Sequence, residues 1–163
     1  MRHTRFMNTL EGRMDASGQH VVVVVSRWNE LITKELVEGA LETLRQCGDP
    51  EVSLIKVPGT WEIPVAVQSA LEHLRPNAVV ALGCILQGQT THAQLLAGDV
   101  SGALMNLQVA HGVPIAWGIL TPDTAEQGLD RAGLKHGNKG REAATAAVEM
   151  LSLLNQLADS ASE

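Results

Sequence analysis

Five consecutive valines, residues 21 to 25, leave this chain few folds to choose from. In a helix each would carry a stiff β-branched χ1, and in a half-exposed strand every second one would face water. A strand covered on both faces suits them, and such strands belong to parallel sheets whose crossovers are helices. The rest of the chain supplies the crossovers. Leu36, Ala40 and Leu44 recur at helical spacing in a segment from about Glu30 to Cys47, stopped by Gly48. VSLIKV (52 to 57) is a second strand, broken by Pro58-Gly59, and Glu62 to Leu74 is a helix ending before Pro76. AVVALGCIL (78 to 86) is a third strand, Ala93 to His111 a third helix and PIAWGIL (114 to 120) a fourth strand. A short helix spans Asp123 to Ala132 and opens on an N-cap, and an Ala-rich helix runs from Gly140 to about Leu157. Strict alternation of this kind predicts an α/β fold: a three-layer α/β/α sandwich on a four-stranded parallel sheet.

The bulk properties narrow what such a sandwich does. A length of 163 residues predicts one domain, 1–163, and 45% hydrophobic against 18% charged residues predicts a packed globule. A net charge of −6 argues against nucleic acid or an anionic membrane as the main partner, so an anionic ligand needs a local basic pocket. Cys47 and Cys84 lack metal-ligand spacing and read as reduced structural thiols. With no apolar leader and no 18-residue apolar run, the expected location is the cytoplasm. The first twenty residues stand outside the alternation, either as a frayed tail or as an arm that adds a strand to a neighbouring subunit's sheet.

In a parallel sheet the carboxyl ends of all strands lie on one edge, where open α/β folds bind ligands. Here those ends carry Ser26 to Asn29, Pro58 to Glu62, the run QGQTTH (87 to 92), and Trp117 to Thr121. The chain has no Tyr, one Phe and three Trp, and each Trp falls at or beside one of these ends, as a flat heteroaromatic ligand would require. A flavodoxin shares this topology but needs a hydroxyl-rich phosphate loop after the first strand, where this chain has SRWNE. A receiver domain needs an acidic cluster there, and none is present. His92 supplies a group that exchanges protons near neutral pH.

SRWNE, VPGTWEIP, ALGCILQGQTTH, WGILT, EQGLDRAG and GNKGREAA, in this order and spacing, resemble the lumazine synthase family from about Leu10 to Leu154. The resemblance implies a flavodoxin-like topology and a reaction without cofactor. 5-Amino-6-(D-ribitylamino)uracil would condense with 3,4-dihydroxy-2-butanone 4-phosphate to 6,7-dimethyl-8-ribityllumazine, releasing phosphate and water. It also implies roles. Trp28 takes the place of a Phe that stacks on the pyrimidine, followed by Asn29. Gly59, Thr60, Trp61 and Glu62 match the segment that holds the ribityl chain, and Ile85 and Leu86 the strand end at the pyrimidine edge. Gln89 and Thr90 match the turn that receives the phosphate, and His92 the proton-transfer residue. Trp117 replaces a second stacking Phe from the adjacent subunit, Arg131 matches the phosphate-pairing arginine, and Lys139 lies in the nearby NKG turn.

Three positions depart from the pattern: Gln87 where the family commonly has Arg, and Ala93 and Gln94 where it has an aromatic and an acid. The lost charges bear on subunit contacts and affinity more than on His92. The expected partners are the two small-molecule substrates, further copies of the chain in a pentamer or sixty-subunit shell, and riboflavin synthase. The alternative is a relative that binds lumazine or riboflavin, or builds a cage, without turnover.

Overall fold

The computed structural model describes residues 7–88 and 91–162. Four strands, β1 (His20–Ser26), β2 (Glu51–Val57), β3 (Ala78–Cys84) and β4 (Ile115–Leu120), form one parallel sheet in the order β2-β1-β3-β4. The helices are α1 (Glu30–Gln46), α2 (Ile63–His73), α3 (His92–His111), α4 (Ala125–Asp130) and α5 (Lys139–Ser160). This is the three-layer, flavodoxin-like arrangement that the alternation predicts.

The valine run explains the layering. Val21, Val23 and Val25 point to one face and pack with Leu36, Ala40 and Leu44 of α1 and Ala144, Val148 and Leu151 of α5. Val22 and Val24 point to the other, against Ile63 and Val67 of α2 and Val100 and Leu104 of α3. All five are buried, so both pleat faces of β1 contribute apolar area at about 25 cal/mol per Å² removed from water. Strand order reverses between β1 and β3, which places a crevice at their carboxyl ends.

Some boundaries differ from expectation. β3 stops at Cys84, because β1 has ended beside it; Ile85 and Gln87 remain extended against one neighbour only, donating to the carbonyls of Leu120 and Pro122. Trp117 lies within β4, opposite Ala81, rather than at the strand end. Thr60–Glu62 forms a 3-10 turn before α2, and Pro64 occupies the first turn of that helix, where its missing N–H costs nothing. The expectation for the first twenty residues falls partly on residues 1–6, outside the described ones. Residues 7–10 are exposed and form no helix or strand, whereas Glu11 to Ala16 lies against the chain's own α5. Arg13 N–H donates to Ser152 Oγ (2.9 Å), the Gln156 amide donates to the Glu11 carbonyl (2.9 Å), and Ala16 is fully buried.

Candidate active site

The corner where β1, β2 and β3 end is built by backbone first. Arg27 and Trp28 N–H groups donate to the carbonyls of Val57 and Pro58 (2.8 and 3.0 Å), which prolongs the β1–β2 pairing past the strands. Asn29 then turns the chain with φ 65° and ψ 45°, a left-handed conformation that Asn tolerates. Its carbonyl accepts from Ile32 and Thr33 at the start of α1, and its amide donates to the Cys84 carbonyl (2.9 Å). Asn29 therefore stitches the two sides of the crevice together. Its neighbour Trp28 is left 66% exposed.

The Trp28 indole lies over Gly59. A Cβ there would fall 2.5 Å from Trp28 Cε3, so a glycine is what the ring requires. Gly59 N–H donates to Glu62 Oε2 (3.0 Å), which orients that carboxylate and leaves its other oxygen for a ligand hydroxyl. Thr60 is buried, while Trp61 is exposed and flanks a cavity with Glu62, Val65, Asp99 and Val100. Ile85 is buried in the α2–α3 core, so only its backbone can meet a ligand, and Leu86 is partly exposed.

Gln89 and Thr90 lie outside the described residues. Beyond them, His92 is the first residue of α3 rather than a loop residue, and it is exposed. The N-cap residue Thr91 makes no side-chain cap bond, and this end carries the positive pole of the helix dipole, a setting that suits an anion.

A second opening of about 440 Å³ lies at the end of β4, lined by Thr121, Asp123, Gln127, Arg131, His136, Lys139 and Glu142. The Lys139 N–H donates to the Arg131 carbonyl (2.9 Å), joining the two cationic residues through the backbone. Lys139, partly buried, also approaches the exposed Glu142 at 3.9 Å, and Arg131 pairs with no carboxylate among the described residues. His136 joins this group, and its place in the short turn between Arg131 and Lys139 is the one sign of it in the sequence. The hollow holds a guanidinium, an ammonium and an imidazole beside the carboxylates of Asp123 and Glu142, and its two cations are the groups that suit a phosphate.

Trp117 borders a third opening, with Ala97, Ser101, Met105 and Gln108 of α3. The sheet edge thus carries Trp28, Asn29, Gly59 to Glu62 and Ile85, while Arg131 and Lys139 line one opening that includes none of these and Trp117 borders another, the two openings sharing Thr121.

Cys84 takes no part as a nucleophile, because burial pushes its thiol from 9.0 to about 11. The folded chain favours the protonated form, so this contribution is intact below pH 9 and is lost as pH rises towards 11. Relative to Cys84→Ala, the wild type is expected to lose roughly 2 kcal/mol of stability across that interval. Denaturant melts of the pair at pH 8 to 11 check this; a constant difference would contradict it.

The sequence model described as 6,7-dimethyl-8-ribityllumazine synthase matches residues 18–155. Among curated relatives, the 6,7-dimethyl-8-ribityllumazine synthase of Halorhodospira halophila is 42% identical over 154 residues, covering 93% of this chain and 99% of the relative. The protein of the same name from Aquifex aeolicus is 41% identical over 153 residues, with the same two coverages.

Proposed function

The chain belongs to the 6,7-dimethyl-8-ribityllumazine synthase family, and from that premise we propose how its strand ends carry out the family's reaction. It condenses 5-amino-6-(D-ribitylamino)uracil with 3,4-dihydroxy-2-butanone 4-phosphate, giving the lumazine, phosphate and water, a transferase step of riboflavin biosynthesis. The full-length match to catalytic relatives carries this reading, and it favours turnover over a purely binding or cage-forming role. Mixing the purified protein with both substrates and following lumazine fluorescence tests it.

The pyrimidine stacks on Trp28, its edge meets the backbone of Ile85 and Leu86, and its ribityl hydroxyls meet Thr60, Trp61 and the free oxygen of Glu62. Asn29 holds this floor in place through Cys84. The phosphate of the second substrate lies between Gln89, Thr90 and the α3 N-terminus on one side and the cations Arg131 and Lys139 on the other. Amine attack on the ketone, loss of water to an imine, departure of phosphate, and ring closure with loss of a second water each move a proton, which His92 accepts and returns. Much of the rate comes from holding two reactants that condense unaided only slowly.

Arg131 and Lys139 line an opening whose walls include neither Trp28 nor Gly59 to Glu62, which favours a site shared between copies. In this reading Trp117, Arg131 and Lys139 of one subunit complete the floor of the next, in a head-to-tail ring of five. α3 fits a subunit interface: between its terminal histidines Asp99 is its only charged residue, and it exposes Leu95, Met105 and Val109. The short AGLKHGNKG turn favours packing of such rings into a sixty-subunit shell. Riboflavin synthase, which consumes the product, is the expected functional partner, and the cytoplasm the expected compartment. Among the described residues no helix is long and apolar enough to cross a membrane.

The stacking role of Trp28 has a direct check. Trp28→Ala is expected to weaken pyrimidine and product binding by roughly 1 to 3 kcal/mol, and Trp28→Phe to be nearly neutral, by calorimetric titration. Equal damage from both would transfer the role to the indole N–H.

A further inference from the structure

We infer that Asn138 is the positioning residue of the Arg131–Lys139 cavity: one amide side chain locks the turn that carries both cations onto α1. The inference rests on the reading of that cavity as the phosphate subsite. Asn138 sits between the cations in the chain, at the N-cap of α5, and each polar atom of its side chain is in use. Oδ1 accepts from Arg141 N–H (3.1 Å), which is an ordinary helix cap. Nδ2 makes two further bonds that a cap does not need. One goes to the carbonyl of Ala132 (3.1 Å), the residue after Arg131, and the other to the carbonyl of Glu35 in α1 (3.0 Å).

These bonds close the loop from 132 to 138 at its neck. Ala132 and Asn138 form an isolated antiparallel bridge, and the Lys139 N–H donates to the Arg131 carbonyl just beyond it (2.9 Å). Gly133 and Gly137 adopt positive φ (114° and 74°), so the loop can fold back this tightly. The backbones of Arg131 and Lys139 are thereby held side by side, and both residues line the cavity. α1 contributes the room. A Cβ on Gly39 would fall 2.5 Å from Asn138 Cγ, and a Cβ on Gly140 would run into the Leu36 carbonyl, so the helices touch backbone to backbone at this crossing.

The Gly39 contact separates a latch from generic stability. Gly39→Ala lies inside an α-helix, where Ala is the better helix former, yet its methyl displaces the Asn138 amide. Both Asn138→Ala and Gly39→Ala therefore let the two cations drift apart without removing either charge. The cost falls on the anionic substrate alone.

The experiment is steady-state kinetics on the assembled enzyme, with melting temperatures, for Asn138→Ala, Asn138→Ser, Gly39→Ala and the Asn138→Ala/Gly39→Ala double variant, and Arg131→Ala as reference. Asn138→Ser retains a capping oxygen and serves should the alanine variant not fold. We expect KM for the butanone phosphate to rise roughly five- to twentyfold in each single variant, kcat and KM for the pyrimidine to stay within about twofold, and the double variant to be no worse than the worse single one. Two results would overturn the inference. In one, Arg131→Ala raises that KM while the Asn138 and Gly39 variants leave it unchanged or lower all parameters together with melting temperature, which makes Asn138 a plain structural residue. In the other, Arg131→Ala itself leaves that KM unchanged, which removes the phosphate subsite.

Discussion

Arg131→Ala is expected to raise KM for the butanone phosphate by roughly thirtyfold to several hundredfold, about 2 to 4 kcal/mol, while KM for the ribitylaminouracil barely moves. The expectation follows from what surrounds the guanidinium. It borders a polar hollow with Lys139 and His136, pairs with no carboxylate among the described residues, and sits in a protein of net charge −6 that repels anions at long range. In the proposed shared site, a bidentate charge-assisted contact in a hollow closed by a second subunit would account for a loss of that size, and Lys139 and the α3 N-terminus would account for what binding remains. Initial rates at varied concentrations of each substrate decide it. Equal increases in both KM values would show that Arg131 acts through folding or assembly.

His92→Ala is expected to lower kcat by roughly ten- to a hundredfold, the low end of general acid–base effects, because juxtaposition of the reactants survives the change. The imidazole begins α3, exposed, on the connection that follows β3. Single-turnover rates with both substrates saturating isolate the chemical step from binding. An unchanged rate would remove His92 from the proton transfers and leave the condensation to proximity alone.

How far the sequence anticipates this structure depends on how local each signal is. The buried β1 strand, the alternation of strands and helices and the position of α5 are legible because β-branched runs and helical periodicity report burial directly. The end of β3 is not, since AVVALGCIL stays apolar to Leu86 while the strand stops at Cys84, where its β1 neighbour runs out. Trp117 reads as a strand-end aromatic but lies mid-strand against Ala81, because register is set by pairing with β3. Asn29 reads as a ligand-side residue by resemblance, but that its amide also bridges to the Cys84 carbonyl across 55 positions is not legible locally. His136 and Asn138 escape for the same reason. A histidine or an asparagine in a glycine-rich turn looks like any solvated turn residue until the turn is placed against α1 and the β4 end.

The central claim is that each site draws its pyrimidine floor from one subunit and its phosphate clamp from the next. Refolding two complementary variants together tests it most directly. One carries Trp28→Ala with His92→Ala and the other Arg131→Ala, each nearly inactive when refolded alone. Mixed in equal amounts, they are expected to assemble rings in which about one site in four joins two intact halves, by random neighbour statistics in a cyclic oligomer. Activity should then rise towards roughly a quarter of wild type in the mixture only. If mass analysis confirms mixed rings and the mixture still shows no more than the average of the two variants, each site is complete within one chain and the shared site is wrong.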